Sequence, residues 1–452
     1  MKKNASCPTS RYFTLAAIAA LSFLFLTPAQ AVPSFARQTG QPCSTCHTSY
    51  PGLTAFGRMF KMYGYTISDL KEVERPANKT QAGLSLNEIP NLSFVLQAGE
   101  TYLNKDAPGV KNPNASFPKE AGIYYAGRID DKVGAFLQLT YAAEDGGTSM
   151  DMSDIRYANV TSKDGKTNVF GIDVNNGPSF EDVWNSTPGY GWPYVENDAE
   201  IGMDMPFIGS EAVMTNVIGV GAYNYWNNKF YAYAGIYQAA AQGNTPPTGD
   251  AVSGYAPYLR LAWTPDQNTE VGAFHFNAKY KPDMGGGTWV GPEEKFDDNG
   301  IDAQYQIVEP DSTWTFHARY INEKHSGLTS VAGPMGYTGP DSLTANFYQV
   351  DANWLHGFDY GASFGFIANT GDRSDYYNLL SNAADGNGYL PNTTPDSTAE
   401  VLEFDYYPYQ NIRLSAQATI YNKFHGATSN YDGFGRNASD NNTLVLNALV
   451  GF

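Results

Sequence analysis

Residues 412–421 read Ile412-Arg413-Leu414-Ser415-Ala416-Gln417-Ala418-Thr419-Ile420-Tyr421. Apolar and polar side chains alternate strictly from Ile412 to Ile420. Successive side chains of an extended chain point to opposite faces, so this stretch predicts a strand with one apolar and one polar face. The same grammar recurs at 313–320, where Trp314, Phe316, Ala318 and Tyr320 oppose Thr315, His317 and Arg319. At 133–141, Val133, Ala135, Leu137, Leu139 and Tyr141 share a face opposite Gln138 and Thr140.

The breaks between such runs also alternate. Tight polar turns, among them Asp130-Asp131-Lys132, Asn227-Asn228, Pro310-Asp311 and Pro408-Tyr409-Gln410, take turns with long Gly/Pro/Asn/Asp-rich loops near 104–120, 175–212, 281–297, 370–397 and 423–441. Counting from Leu92 gives about sixteen strands, an even number that leaves both ends on the short-turn side. The expected fold is all-β: an antiparallel transmembrane β-barrel with brief periplasmic turns and long outer loops, integral to a bacterial outer membrane. A soluble two-sheet sandwich also alternates. Against it stand the large polar residues of the second face and the confinement of long loops to one side. The last run, 444–452, alternates and ends on Phe452, which resembles the signal that outer-membrane proteins present to their assembly machinery. Tyr223, Tyr225, Trp226, Trp263, Trp354, Tyr406 and Tyr407 lie near predicted strand ends, where interface girdles belong.

Ahead of the barrel the grammar changes. Residues 1–31 read as a secretory leader, with basic Lys2, Lys3 and Arg11, an apolar stretch over 15–26 and an Ala29-Gln30-Ala31 cleavage site. Cys7 leaves with it, so the mature chain holds Cys43 and Cys46 alone and no structural disulfide is expected. Residues 32–80 form a short segment of their own, and 81–452 form the barrel. The net charge of −18 grows more negative once the leader is removed. So acidic a chain lacks the clustered Lys/Arg that nucleic acid requires, and attracts cations instead.

The short segment contains Cys43-Ser44-Thr45-Cys46-His47. Two thiols three positions apart, followed by an imidazole, are the attachment motif of a c-type haem. A zinc site needs four ligands, and no second Cys/His pair completes one. The expectation is one covalently bound haem c, with His47 as the proximal ligand of its iron. Arg37, Arg58 and Lys61 are candidates to pair with the haem propionates, and Phe35, Phe56 and Phe60 to pack its edge. Met59 or Met62 could supply a distal sulfur, which would raise the reduction potential. His275 and His317, expected on lumen-facing positions, are lesser distal candidates, and His356 is expected to face the periplasm. Ordinary core packing or a solvated surface remains open for each.

Residues 33–65 then read Pro-Ser-Phe-Ala-Arg-Gln-Thr-Gly, Cys43-x-x-Cys46-His47, Pro51-x-Leu53, Phe56-Gly57-Arg58-x-Phe60-Lys61 and Gly64-Tyr65. This resembles the N-terminal segment of the fused monohaem cytochrome c–porins, the outer-membrane iron oxidases of iron-oxidising bacteria. The resemblance implies oxidation of extracellular Fe(II) at a single haem, with electrons passed to a periplasmic electron-accepting cytochrome. A porin with a haem plug, or a conduit for another extracellular donor, are the alternatives. The segment is expected to plug the lumen from the periplasmic side. Carboxylates of the long loops (Glu181, Asp182, Glu196, Asp198, Glu200, Asp204, Glu293, Glu294, Asp297, Asp298, Asp372, Asp375, Asp385 and Asp396) are expected to draw Fe(II) to the outer mouth. No catalytic residue is otherwise indicated.

Overall fold

The computed structural model describes residues 32–77, 83–142, 147–187, 195, 197–199, 202–214, 216–240, 251–281, 292–376 and 394–452. The expected leader, and Glu196, Glu200 and Asp385, lie outside them. Sixteen antiparallel strands make up the wall: β1 (Leu92–Leu103), β2 (Asn114–Asp130), β3 (Val133–Ala142), β4 (Gly147–Lys163), β5 (Lys166–Asn175), β6 (Val217–Trp226), β7 (Phe230–Ala239), β8 (Ala256–Asp266), β9 (Thr269–Lys281), β10 (Glu294–Val308), β11 (Ser312–Ser326), β12 (Ser342–His356), β13 (Tyr360–Gly371), β14 (Ser397–Tyr409), β15 (Ile412–Lys423) and β16 (Thr443–Gly451). Each strand pairs with its neighbours in sequence. The last strand closes on the first, with Val445 opposite Thr101 and Leu449 opposite Gln97. Closure leaves no row of unpaired backbone groups, which lipid could not satisfy.

The two faces separate as the alternation requires. On β15, Arg413 is 4% exposed and Leu414 42%; on β14, Asp405 is 0% and Phe404 50%. Leu261, Ile301, Val350 and Leu402 face outward in the same way. Among the described residues no helix is long and apolar enough to cross a membrane, so the crossing is made by strands. Trp226, Trp263 and Tyr406 are exposed on the outside, as a girdle requires. Tyr223 and Tyr407, expected there too, are buried inside. They sit on the opposite parity to the outward residues beside them, and parity overrides nearness to a strand end.

The lumen is filled from two directions. From the short-turn end enters a helical segment with α1 (Pro33–Thr39), α2 (Cys43–Cys46) and α3 (Ala55–Met62). Thr54 starts α3 by accepting a hydrogen bond from the Gly57 N–H at 3.2 Å. Gly57 has to be glycine: a Cβ there would lie 2.2 Å from the Cys46 carbonyl oxygen, so α3 rests directly on the Cys43–Cys46 turn. Ser44 N–H and Tyr50 Oη donate to Gln410 in a short turn, at 3.3 Å each. Arg37 donates to the Leu92 carbonyl and Arg58 to that of Gln267. From the other end the long β5–β6 connection folds inward, burying Val183, Trp184 and Phe207 in one core with wall residues. Glu181 and Asp182, expected at an exposed mouth, are therefore 0% exposed. Between plug and barrel, Glu72–Arg75 pairs with Leu84–Asn87 in a short ribbon that spans the expected boundary at 80.

Candidate functional site

The Cys43–Cys46 turn is a single helical turn. His47 N–H closes it on the Cys43 carbonyl at 2.9 Å, and Thr54 N–H closes on the Cys46 carbonyl at 2.9 Å. Cys43 is 4% exposed, packed with Leu355 and Tyr407 of the wall, with Phe358 of the short turn between β12 and β13, and with Tyr50. Both cysteines are free thiols, and burial, helped by Cys43, pushes the Cys46 thiol up to about 12. The His47 ring lies 4.7 Å from that of Tyr50. Burial pushes its pKa down to about 4, against the opposing backbone of Gly52 and Pro51. A neutral imidazole keeps a lone pair free, as metal ligation requires. Its buried Nδ1 has no hydrogen-bond partner.

These three side chains open onto a cavity of about 380 Å³ between plug and wall. The plug contributes Phe35, Phe60, Lys61 and Tyr65, and the wall contributes Val95, Gln97, Tyr124, Phe136, Gln138, Met152 and Leu449. Phe35 organises the apolar side, with ring centroids 4.9 Å from Phe60, 5.4 Å from Tyr65 and 6.3 Å from Phe136. The wall amides are engaged elsewhere: Gln97 Nε2 with Glu120, and Gln138 Nε2 with Asp151 at 2.7 Å and Thr140 at 2.9 Å. The donor set and the space suit a c-type haem: two thiols for thioether bonds, one neutral imidazole, and flat aromatic walls.

Other sequence-predicted residues lie elsewhere. Arg37 is exposed and holds the Leu92 carbonyl. Arg58 donates to Leu53 O at 2.7 Å and Gln306 Oε1 at 3.1 Å, and its guanidinium stacks 3.5 Å over Trp184. Neither lines the cavity; both tie the plug to the protein around it. Lys61 does line it, with Nζ donating to Asp182 O at 2.9 Å and Asn185 Oδ1 at 2.8 Å. Met59, Met62 and Phe56 do not line it. Met62 points into the lumen core and its carbonyl accepts from Tyr223 Oη at 2.7 Å.

His317 faces the lumen as expected, paired through Nδ1 with Asp351 at 2.7 Å, away from the cavity. His275 does not: it is 46% exposed on the outer face and bonds Asn299 at 2.9 Å. The inward positions of β9 are taken by Phe274 and Phe276, because here the lumen holds the aromatic core of the infolded loop. His356 is exposed beside a short turn. Of the acidic loop residues, Glu294 and Asp298 are buried, whereas Asp372 and Asp375 are exposed. Among the described residues no three His, Cys, Asp or Glu side chains converge as a metal site. Met152 went unnoticed in the sequence because it lies over a hundred residues from the motif; its place beside a polar Asp151 in a predicted barrel was the only signal.

No protein-family model matches the chain, and no curated protein matches it in sequence. Solved structures that resemble it are outer-membrane proteins. OmpT of Vibrio cholerae is 12% identical over 80% of this chain and 96% of that one, with a TM-score of 0.48. OmpF of Salmonella typhi, in complex with daunomycin, is 13% identical over 80% and 97%, at 0.47. The outer-membrane channel DcaP of Acinetobacter baumannii is 12% identical over 80% and 96%, at 0.45. With its closed sixteen-strand wall, outward apolar band and polar interior, the chain is an integral outer-membrane β-barrel of porin-like architecture.

Proposed function

We propose that the protein moves electrons one at a time across the outer membrane, from extracellular Fe(II) to a periplasmic cytochrome, through one haem c attached at Cys43 and Cys46 and ligated by His47. The observation that carries this reading is the convergence of those three side chains on one cavity of about 380 Å³ between plug and wall. When bound, the haem supplies a one-electron iron couple. The chain's own residues supply the rest. His47 is held neutral by burial, the rings of Phe35, Phe60 and Phe136 give the site flat apolar walls, and the plug sets it at membrane depth. Gln97 lies five residues along β1 from Leu92. At roughly 3.3 Å per residue and a tilt of about 40°, that is roughly 12 Å along the barrel axis, about half of a ~25 Å apolar band. Gaps to the two faces are then comparable and short.

Exposed carboxylates such as Asp372 and Asp375 support attraction of a divalent cation to the outer loops. The packed lumen argues against a diffusion pore: Arg156 and Arg260 are 0% exposed, and the infolded connection buries Trp184 between plug and wall. Adding Fe(II) to purified oxidised protein should produce the reduced haem spectrum. No reduction, together with free ion conductance in planar bilayers, would leave a porin with a haem plug. Reduction by other extracellular donors but not by Fe(II) would leave a conduit for those donors.

A further inference from the structure

The cavity beside His47 offers a second donor to whatever His47 ligates, and it comes from the wall. Resting on the haem reading above, we infer that Met152 is the distal axial ligand of the iron. Three observations lead there. Met152 lines the cavity, and the plug methionines Met59 and Met62 do not. The strand is built to present it: Leu137 of β3 pairs with Ser153 and Leu139 with Met150, so Gln138 faces two residues, Asp151 and Met152. Such a bulge re-aims side chains and recurs beside functional sites. Asp151 turns inward to accept from Gln138 and from Thr140 Oγ1 at 3.1 Å, and its Oδ1 accepts the Met152 N–H at 2.8 Å.

Three nitrogen-bearing side chains at the cavity are committed elsewhere. Gln97 and Gln138 spend their amides on Glu120, Asp151 and Thr140. Lys61 Nζ donates to Asp182 and Asn185. A thioether has no hydrogen-bond demand of comparable strength, and its three rotatable bonds let it reach an iron held on the plug. Ligation by Met then has a consequence for the whole molecule. One axial ligand belongs to the plug and the other to the barrel, so the iron would be six-coordinate only when the plug is seated. A sulfur ligand also raises the potential relative to a second imidazole.

The test uses the full-length protein in detergent or lipid, with Met152→Ala, Met152→His and the control Met59→Leu. The expected wild-type ferric spectrum is low-spin with the weak long-wavelength band of a thioether on iron. Met59→Leu keeps that band. Met152→Ala loses it, becomes high-spin and gains carbon monoxide binding when reduced. Met152→His restores the low-spin spectrum without the band and with a lower potential. Retention of the band and potential in Met152→Ala overturns the assignment of the ligand while leaving the haem in place. Absence of any covalently attached haem from the denatured wild-type chain instead overturns the reading on which it rests. If Met152→Ala does not assemble, the Met152→His spectrum decides: an unchanged long-wavelength band overturns the assignment, and its loss sustains it.

Discussion

Strands β6–β10 and strands β16, β1–β4 enclose one lumen and fill it in different ways. On the first side the interior is solid. Tyr223, Tyr233, Tyr237 and Arg260 are each at most 1% exposed. Arg260 is held by Asp302 at 2.7 and 2.8 Å and by Glu270 at 3.3 Å. The large rings fit because facing positions are glycine: a Cβ on Gly219 would sit 2.2 Å from the Tyr237 ring. On the second side Val95, Gln97, Gln138, Met152 and Leu449, with the rings of Tyr124 and Phe136, border a cavity of about 380 Å³ against Cys43, Cys46 and His47. A wall of sixteen strands is wide enough to enclose a channel, so the plug and the infolded connection are what fill this one. The hollow beside the two thiols and the imidazole is the space that the proposed haem would occupy.

The comparison breaks first at the hollow side. Replacing both cysteines, Cys43→Ala with Cys46→Ala, should abolish covalent haem on a denaturing gel while the heat-sensitive mobility of the folded barrel persists. Loss of the folded barrel would show that the motif is structural. On the solid side, Arg260→Ala leaves Asp302, Glu270 and Asp182 facing one another without their cation. Removing one partner of a buried pair costs about 3–5 kcal/mol. Gln97→Ala, on the hollow side, should cost well under half of that in denaturant unfolding from vesicles.

A pH experiment sharpens the boundary between plug and wall. Burial, then Arg156, pushes the Lys61 ammonium from its ordinary 10.5 down to about 8. Between those values the unfolded chain carries a proton that the folded one has released, so stability rises with pH across that window and is lost again as pH falls through about 8. The rise is at most about 3 kcal/mol, and Lys61→Met should flatten it in unfolding midpoints measured at pH 7.5 and 10.5, as set points of roughly that window. Gly219→Ala should cost about 1–3 kcal/mol by forcing the Tyr237 ring aside. Smallest is Tyr50→Phe, which removes one bond to Gln410 at about 1 kcal/mol. It should show as faster proteolysis of the plug with the barrel untouched.

Much of this was readable in the chain. Alternation at 412–421 and 313–320 assigned inside and outside to β15 and β11, and the alternation of short and long connections yielded sixteen strands and the end at which the plug enters. Parity failed where an interior stopped being polar. His275 is expected inward because its neighbours are apolar, yet Phe274 and Phe276 are the inward pair, against Phe207 at 6.4 Å from the Phe276 ring. Nothing local to the sequence says that the β5–β6 connection folds into the barrel, which also removes Glu181 and Asp182 from the outer mouth. Arg58 carried the charge expected of a propionate partner, but its reach is spent on Gln267, Gln306 and Trp184.

The sequence by itself determined what is periodic and what is contiguous: strand faces, strand number, and the Cys43-Ser44-Thr45-Cys46-His47 motif. Both follow from backbone geometry acting over a few residues. Only the tertiary structure decided what meets across the lumen: Met152 rather than Met59 or Met62 at the cavity, Arg37 and Arg58 as anchors, one side solid and the other hollow. Those contacts join residues distant in sequence, from 55 positions for Arg37 and Leu92 to 248 for Arg58 and Gln306, and barrel closure, not local preference, sets which of them face each other.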